Sequence, residues 1–143
     1  MNTRRIDILQ VEDSEGDIRL TQEALKGSTL SCLHHVHDGV DAMAFLHQDG
    51  PYSDAPRPDL ILLDLNMPRK DGREVLAEIK EADELKSIPV VIFTTSDAER
   101  DIATCYRLHC NCYITKPMQL ADFFRVVQGV EKYWGTLVRG PAS

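Results

Sequence analysis

The chain has 143 residues, of which 43% are hydrophobic and 27% are charged. This length predicts one domain with one hydrophobic core, and we expect residues 1–143 to form that domain without a separate output domain. The formal net charge of −7 argues against a nucleic-acid-binding surface, which is normally basic. The sequence has no apolar run long enough for a membrane span and no secretory signal pattern, so we expect a cytoplasmic protein.

The first half of the chain alternates short apolar runs with amphipathic segments. Ile6–Val11 reads as the first strand, and Ser14 is a candidate N-cap for a helix that stops at Gly27. A second strand is predicted at Ser31–Val36, and a second helix at residues 40–47. Each predicted strand is therefore followed by a helix.

The second half continues the alternation. Ser96 and Glu99 have the spacing of a capping box, which predicts the start of a fourth helix. The other predicted elements are strands at Leu60–Leu63, 90–93 and 113–115, and helices at 73–81 and Leu120–Leu137. Five strands alternating with five helices predict an α/β fold with a doubly wound parallel sheet.

Polar side chains follow the predicted strands. Glu12 and Asp13 come after the first strand, Asp64 after the third, Thr94 after the fourth and Lys116 after the fifth. Ligand sites in doubly wound sheets lie beyond the carboxyl ends of the strands, so we expect these groups to meet there. Each of them alone is equally typical of an ordinary helix start or a solvated loop, and the functional interpretation depends on the set.

The chemistry of this set points to phosphate and a hard cation. Crowded carboxylates repel one another, and a magnesium ion relieves that repulsion through oxygen ligands. Asp64, at the end of a rigid strand, is a candidate carboxylate nucleophile. The Lys116 amine and the Thr94 hydroxyl can neutralise and bind phosphoryl oxygens.

The cysteines and histidines give weaker signals. We interpret the four cysteines as reduced thiols of a cytoplasmic protein. Cys110 and Cys112 are separated by one residue, whereas zinc sites usually have two to four, so zinc is not favoured there. His35 and His37 share one face of a strand, and we interpret them as an exposed strand end in preference to a weak metal site.

Four motifs together carry a family likeness: VED at 11–13, DLNMPRKDG at 64–72, IPVVIFTT at 88–95 and YITKP at 113–117. The chain resembles the receiver domain of two-component response regulators over essentially its whole length. That resemblance implies a flavodoxin-like fold with strand order 2-1-3-4-5. It also implies a module that catalyses its own phosphotransfer and dephosphorylation and is not a turnover enzyme.

The resemblance assigns roles to individual residues. Asp64 would accept a phosphoryl group from a histidine of a sensor kinase in a Mg²⁺-dependent reaction, with Mn²⁺ as a possible substitute. The implied metal ligands are Glu12, Asp13, Asp64 and the backbone carbonyl of Asn66. Glu12 stands where the family more commonly has Asp, so its contact with the ion is expected to run through water.

The remaining implied roles concern a conformational switch. Thr94 and Thr95 would contact the phosphoryl group together with Lys116, whose bond to Pro117 is expected to be cis. Tyr113 would swing into space left by Thr94. The result would be a population shift of the surface made by the fourth helix, the fifth strand and the last helix.

A narrower likeness concerns the partner. Residues 38–80 and the LHCNCYITKP segment resemble the small single-domain regulators paired with cyanobacterial and bacterial phytochromes. The implied partner is a phytochrome sensor histidine kinase, with no role for nucleic acid or a membrane.

The last predicted helix has more apolar residues than one packed face needs. One stripe is expected to pack on the sheet: Leu120, Phe124, Val127 and Trp134. A second stripe at heptad-like spacing predicts a symmetric homodimer: Phe123, Val126, Val130, Tyr133 and Leu137. The alternative is that the end of the helix folds back on its own domain.

Three other functions compete with the receiver interpretation. A magnesium phosphohydrolase with an aspartyl nucleophile commonly carries a second Asp two residues later, where this chain has Asn66. A flavin-binding protein of the same fold needs a Ser-, Thr- and Gly-rich phosphate loop, whereas EDSEGD follows the first strand here. A docking module that is never phosphorylated is the third.

Overall fold

A computed structural model describes residues 5–137. Its core is a five-stranded parallel sheet in the order β2-β1-β3-β4-β5, which confirms the predicted fold and strand order. The strands are β1 (Ile6–Val11), β2 (Ser31–Val36), β3 (Leu60–Leu63), β4 (Val90–Thr94) and β5 (Cys112–Thr115). The helices are α1 (Glu15–Leu25), α2 (Gly39–His47), α3 (Gly72–Glu81), α4 (Glu99–Arg107) and α5 (Leu120–Leu137), with a short 3-10 helix at Gly50–Tyr52.

Both faces of the sheet are covered by helices. Every residue of β3 and β4 is buried, as expected for central strands of a parallel sheet. Alternate residues of β1 enter different cores: Leu9 and Val11 pack on the side of α2 and α3, while Ile6 and Ile8 pack on the side of α1 and α5. The period-2 alternation of strand side chains produces this division.

Two predicted helix starts have different outcomes. The Ser14 hydroxyl accepts a hydrogen bond from the backbone N–H of Asp17 at 3.2 Å, so the predicted N-cap of α1 is confirmed. The capping box predicted at Ser96 is wrong, because α4 begins later, after Ala98. The Ser96 hydroxyl instead donates to the carboxylate of Asp101 at 2.6 Å, and this contact competes with capping.

The sheet-packing face of α5 agrees with the prediction in part. Three of the four predicted residues pack in the core on the α1 and α5 side, namely Phe124, Val127 and Trp134. Phe123, assigned above to the dimer stripe, is only 3% exposed, and its ring contacts Phe93 of β4 with centroids 5.2 Å apart. Val127, four residues later on the same face, is also buried. Leu120, assigned to the sheet, is 56% exposed. Phe123 is therefore removed from the dimer stripe.

The other residues of the predicted dimer stripe have mixed exposure. Val126 and Val130 are partly buried against the same core as Phe123, and Tyr133 is 60% exposed. The side chain of Leu137 lies outside the described part of the structure. The dimer stripe stays a prediction that depends on Val126, Val130 and Tyr133.

All four cysteines are free thiols. Burial raises the pKa of Cys105 and of Cys110 to about 11 each, so these two thiols remain protonated and weakly nucleophilic near neutral pH. Cys32, on β2, is exposed. Within the described part of the chain, no helix has both the length and the apolar character needed to cross a bilayer.

Candidate functional site

Three carboxylates converge at the carboxyl ends of β1 and β3. Glu12 and Asp13 follow Val11, Asp64 follows Leu63, and Val11 and Leu63 are paired in the sheet. One carboxylate oxygen from each acid lies within 4.8 Å of the others. Asp13 is exposed, whereas Glu12 is 2% and Asp64 is 7% exposed. The register of two neighbouring strands therefore creates the predicted acidic cluster.

The backbone around Asp64 is held on both sides. The Asp64 N–H donates to the carbonyl of Val11 at 3.1 Å, which extends the β1–β3 ladder by one residue. The N–H of Gly72 donates to the carbonyl of Leu65 at 3.0 Å, which closes the loop that follows. These bonds hold the backbone from which the Asp64 side chain extends into the acidic cluster.

Gly72 permits a close approach that no other residue allows. A Cβ at position 72 would lie 2.7 Å from the Cα of Leu65, and closer still to the carbonyl oxygen of Asp64. Both neighbours are backbone atoms, so they cannot turn away as a side chain can. The glycine therefore sets the path of the chain directly beside Asp64.

We expect Gly72→Ala to lower the free energy of unfolding by about 1–3 kcal/mol, as overpacking of a close-packed site usually does. The same change should slow phosphorylation of Asp64, because the Asp64–Leu65 backbone must move. Gly129→Ala is the matched control, since a Cβ there meets nothing within 4 Å and Ala favours the helix interior by about 1 kcal/mol. Urea unfolding of both variants checks the opposite signs; equal stabilisation of the two would contradict the steric argument.

Lys116 reaches the acidic cluster from the end of β5. Its Nζ lies 2.5 Å from Glu12 Oε1, 2.7 Å from Asp17 Oδ2 and 3.6 Å from Asp64 Oδ2. Burial alone would lower the pKa of Lys116, but its hydrogen bonds with Asp17 and Glu12 and the charge of Asp64 outweigh burial and raise the pKa. Lys116 is therefore a buried ammonium ion that is positioned by three acids.

Glu12 is the least solvated acid of the cluster. Desolvation by burial is the main reason that its pKa rises to about 7; the hydrogen bond from Lys116 lowers the pKa, and the charge of Asp64 raises it. A buried carboxylate with a raised pKa gains from any additional positive charge nearby. A further cation in addition to Lys116 would therefore stabilise the ionised form of the acidic cluster.

The donor set fits a divalent metal ion. Three carboxylates offer hard oxygen ligands of the type that Mg²⁺ and Mn²⁺ prefer. Asp64 Oδ1 is buried without a hydrogen-bond partner among the described residues, so one oxygen of the acceptor is available as a ligand. Asn66 is exposed in the loop after Asp64, and the role of its carbonyl stays a prediction.

The residues assigned to a switch lie beside the acidic cluster. Thr94, the last residue of β4, is fully buried, and its hydroxyl has no partner among residues 5–137. Thr95 is exposed. The Tyr113 hydroxyl donates to the carbonyl of Ser96 at 2.8 Å, which ties β5 to the loop after β4.

The predicted cis bond between Lys116 and Pro117 is wrong, because no peptide bond in the described part of the chain is cis. The trans form is intrinsically favoured before proline by about 0.5–1 kcal/mol. Lys116 contacts Glu12 and Asp17 from the trans backbone.

Sequence reasoning missed the role of Asp17, which is not among the predicted site residues. In the structure, the Asp17 carboxylate accepts a hydrogen bond from Lys116 Nζ at 2.7 Å. The signal was present, because the first turn of α1 begins at the strand end that carries Glu12. A side chain three residues into such a helix can point back over the same edge of the sheet.

Comparison with known proteins identifies the family. Residues 8–128 match the profile described as response regulator receiver domain. The chain is 57% identical over 137 residues to the response regulator Rcp1 of Synechocystis sp. (strain ATCC 27184 / PCC 6803 / Kazusa), covering 95% of this chain and 93% of Rcp1.

Two solved structures share this fold closely. The crystal structure of the phosphorylated cyanobacterial phytochrome response regulator RcpA has a TM-score of 0.88 and 55% identity, covering 92% of this chain and 94% of that chain. The Mn²⁺-bound form of Rcp1 has a TM-score of 0.88 and 56% identity, covering 96% and 99%. The chain belongs to the response regulator receiver domain family.

Proposed function

We propose that this protein accepts a phosphoryl group on Asp64 from a phosphohistidine of a sensor kinase. The observation that carries the proposal is the position of Asp64 at a strand end, held between two acids and 3.6 Å from a buried ammonium group. Family membership supports the same role. The rival phosphohydrolase lacks support, because Asn66 cannot serve as a proton-transferring acid or base.

In the proposed step, a carboxylate oxygen of Asp64 forms a bond to phosphorus. The bond between phosphorus and the histidine nitrogen of the kinase breaks, and that nitrogen keeps the electron pair. Lys116 stabilises negative charge on the incoming phosphoryl group, and the Thr94 hydroxyl is placed to donate to one of its oxygens. The chain thereby catalyses its own modification and, by attack of water on the acyl phosphate, its reversal.

Glu12, Asp13 and Asp64 are the residues that would hold Mg²⁺, with the carbonyl of Asn66 as the fourth protein ligand. When bound, the ion supplies positive charge that offsets the charges of the carboxylates and phosphoryl oxygens. Mn²⁺ offers the same hard-ligand chemistry, and the related Rcp1 has a Mn²⁺-bound form.

The experiment that tests the proposal is incubation with acetyl phosphate and Mg²⁺, followed by intact mass measurement. We expect the mass to rise by one phosphoryl group, and the gain to disappear when a chelator removes the metal. Mn²⁺ added after chelation should restore it. No gain in mass with either metal at saturating acetyl phosphate would refute phosphoacceptor function and favour the docking module.

The proposed kinase is a phytochrome. Support comes from the 55% identity to RcpA, a cyanobacterial phytochrome response regulator, across nearly the whole of both chains. We expect an autophosphorylated phytochrome kinase to transfer its phosphoryl group faster than a histidine kinase of another sensor class. Equal rates from both kinases would argue against this partner.

The proposed output is a change of the surface formed by α4, β5 and α5. Phosphorylation would attract the free Thr94 hydroxyl, with Thr95 beside it, toward the new oxygens. Tyr113 would then exchange its bond to Ser96 for a position closer to Thr94. Phosphorylation shifts the balance between two conformations of this surface only if the phosphoryl group interacts more favourably with one of them. A hydrogen bond from the Thr94 hydroxyl to a phosphoryl oxygen, made in one conformation only, would supply that difference.

We also propose a symmetric homodimer through α5. Tyr133 is 60% exposed, its ring contacts Trp134 with centroids 5.2 Å apart, and Val126 and Val130 lie on the same side of the helix. Exposed aromatic residues beside apolar ones are typical of interface cores.

Tyr133→Lys should weaken the dimer at least about 30-fold, which corresponds to the loss of a hot-spot tyrosine worth about 2 kcal/mol. Sedimentation velocity with and without phosphorylation measures the effect. The control is Leu30→Lys, which places the same charge at an apolar residue of similar exposure, 45%, before β2. A wild-type protein that is monomeric in both states at tens of micromolar contradicts the proposed dimer.

A further inference from the structure

A second cluster of ligating side chains lies away from the acidic cluster. Asp7, Cys32 and His34 each present one ligand atom, and the three atoms lie within 4.8 Å of one another. His34 Nε2 and Asp7 Oδ1 are 3.0 Å apart. Among residues 5–137, only this group and the acidic cluster bring three such ligands together, and neither His35 nor His37 belongs to them.

The register of β1 and β2 builds this cluster. Asp7 and Cys32 are directly paired across the two parallel strands, and His34 follows two residues later on the same face of β2. The imidazole of His34 lies against the ring of Phe45 in α2, with centroids 5.7 Å apart. The N–H of Asp7 donates to the carboxylate of Asp59 at 2.8 Å. The ligands are therefore held by the sheet and by a packed helix.

The chemistry of this set differs from that of the acidic cluster. A thiolate, an imidazole and a carboxylate suit a borderline cation such as Zn²⁺ or Co²⁺, whereas Mg²⁺ selects oxygen ligands. Ligands of a tetrahedral zinc ion are separated by ~3.4 Å, given metal–ligand distances of about 2.0–2.3 Å. The 3.0 Å separation of His34 and Asp7 has to open only slightly to reach that value.

We propose that Asp7, Cys32 and His34 form a second metal site, for a Zn²⁺-type cation, with at least one coordination position open to solvent. Cys32 is exposed, and Asp7 and His34 are partly exposed, so an ion can reach all three. Binding releases the proton of the Cys32 thiol to solvent, while His34 binds as a neutral imidazole that keeps its one proton on the ring nitrogen facing away from the ion. The net charge of −7 favours cation uptake.

The proposed site is independent of the acidic cluster. Asp7 and Glu12 are five residues apart on β1 and the residue after it, which places the two sites ~16 Å from each other along the strand. Saturating Mg²⁺ can therefore occupy the acidic cluster without filling the second site. This independence lets an experiment treat each site separately.

The test is titration of the full reduced chain with Co²⁺ in excess Mg²⁺. We expect one Co²⁺ per chain and a near-ultraviolet charge-transfer band, which only a thiolate ligand produces. Cys32→Ser should abolish the band. His34→Gln and Asp7→Asn should each weaken binding at least about 10-fold, since even an outer contact to a metal site is worth 10–100-fold in affinity.

Cys112→Ser is the matched control, because Cys112 is a partly buried thiol on β5 outside the cluster. It should retain the full band, and Asp64→Asn should retain it as well. Zn²⁺ should raise the thermal unfolding midpoint of the wild type but not of Cys32→Ser. A band that survives in Cys32→Ser, or a Co²⁺ stoichiometry of one half per chain, would overturn a site made by these residues of one chain.

Discussion

Asp64→Asn is expected to abolish the mass gain that acetyl phosphate and Mg²⁺ produce in the wild type. An amide oxygen is a poor nucleophile and carries no negative charge, so the bond to phosphorus cannot form at a useful rate. The substitution keeps the size of a side chain that is 7% exposed and keeps the backbone bond to Val11, so the fold should survive.

Asp83→Asn is the matched control, because the Asp83 carboxylate is 92% exposed and lies after α3, away from the strand ends. It should accept phosphate as fully as the wild type. Peptide mapping of the labelled wild type should place the group on Asp64 alone. If Asp64→Asn gained one phosphoryl group at the wild-type rate, another residue would be the acceptor, and the proposed chemistry would be wrong.

The sequence was sufficient to locate Asp64, Thr94 and Lys116, because the end of each parallel strand is marked by the end of an apolar run. The strand register then places the acids together, because Val11 and Leu63 are paired and the acids follow them directly in the chain. The fold class and the acidic cluster can therefore both be predicted from the sequence.

The features that could not be predicted from the sequence depend on helix packing angles and on competition between hydrogen-bond partners. Phe123 and Leu120 lie three residues apart on α5, and only the crossing of that helix over β4 decides that Phe123 is buried and Leu120 exposed. The Ser96 hydroxyl had two possible partners, and Asp101 bound it. Asp17 and Lys116 are in contact although they are 99 residues apart in the sequence, and local sequence patterns do not predict a contact of that separation.

The second large effect is expected for Lys116→Met, measured without metal. The Lys116 side chain is 5% exposed and its ammonium group is the positive partner of Glu12 at 2.5 Å. Methionine removes that charge and leaves Glu12 buried among acids. Breaking a buried ion pair from one side typically costs about 3–5 kcal/mol, and we expect the free energy of unfolding to fall by that order at pH 8 in a chelator.

The cost should depend on pH in a defined direction. The pKa of Glu12 is already raised to about 7 by burial, and loss of the Lys116 hydrogen bond removes a lowering influence, so it rises further in the variant. Between the ordinary glutamate value of 4.5 and this raised pKa, the folded state binds more protons than the unfolded state. Stability therefore falls as pH increases, and the variant should lose more stability at pH 8 than at pH 6.

Urea unfolding of wild type and Lys116→Met at both pH values, in chelator and in Mg²⁺, measures these effects. Mg²⁺ should restore part of the lost stability, because a dication among Glu12, Asp13 and Asp64 replaces the missing positive charge. Lys86→Met is the control: its exposed pair with Asp83 should change stability by no more than about 0.5 kcal/mol. If Lys116→Met were as stable as the wild type in chelator at pH 8, repulsion among these acids would not govern the site, and the need for a cation would lose its physical basis.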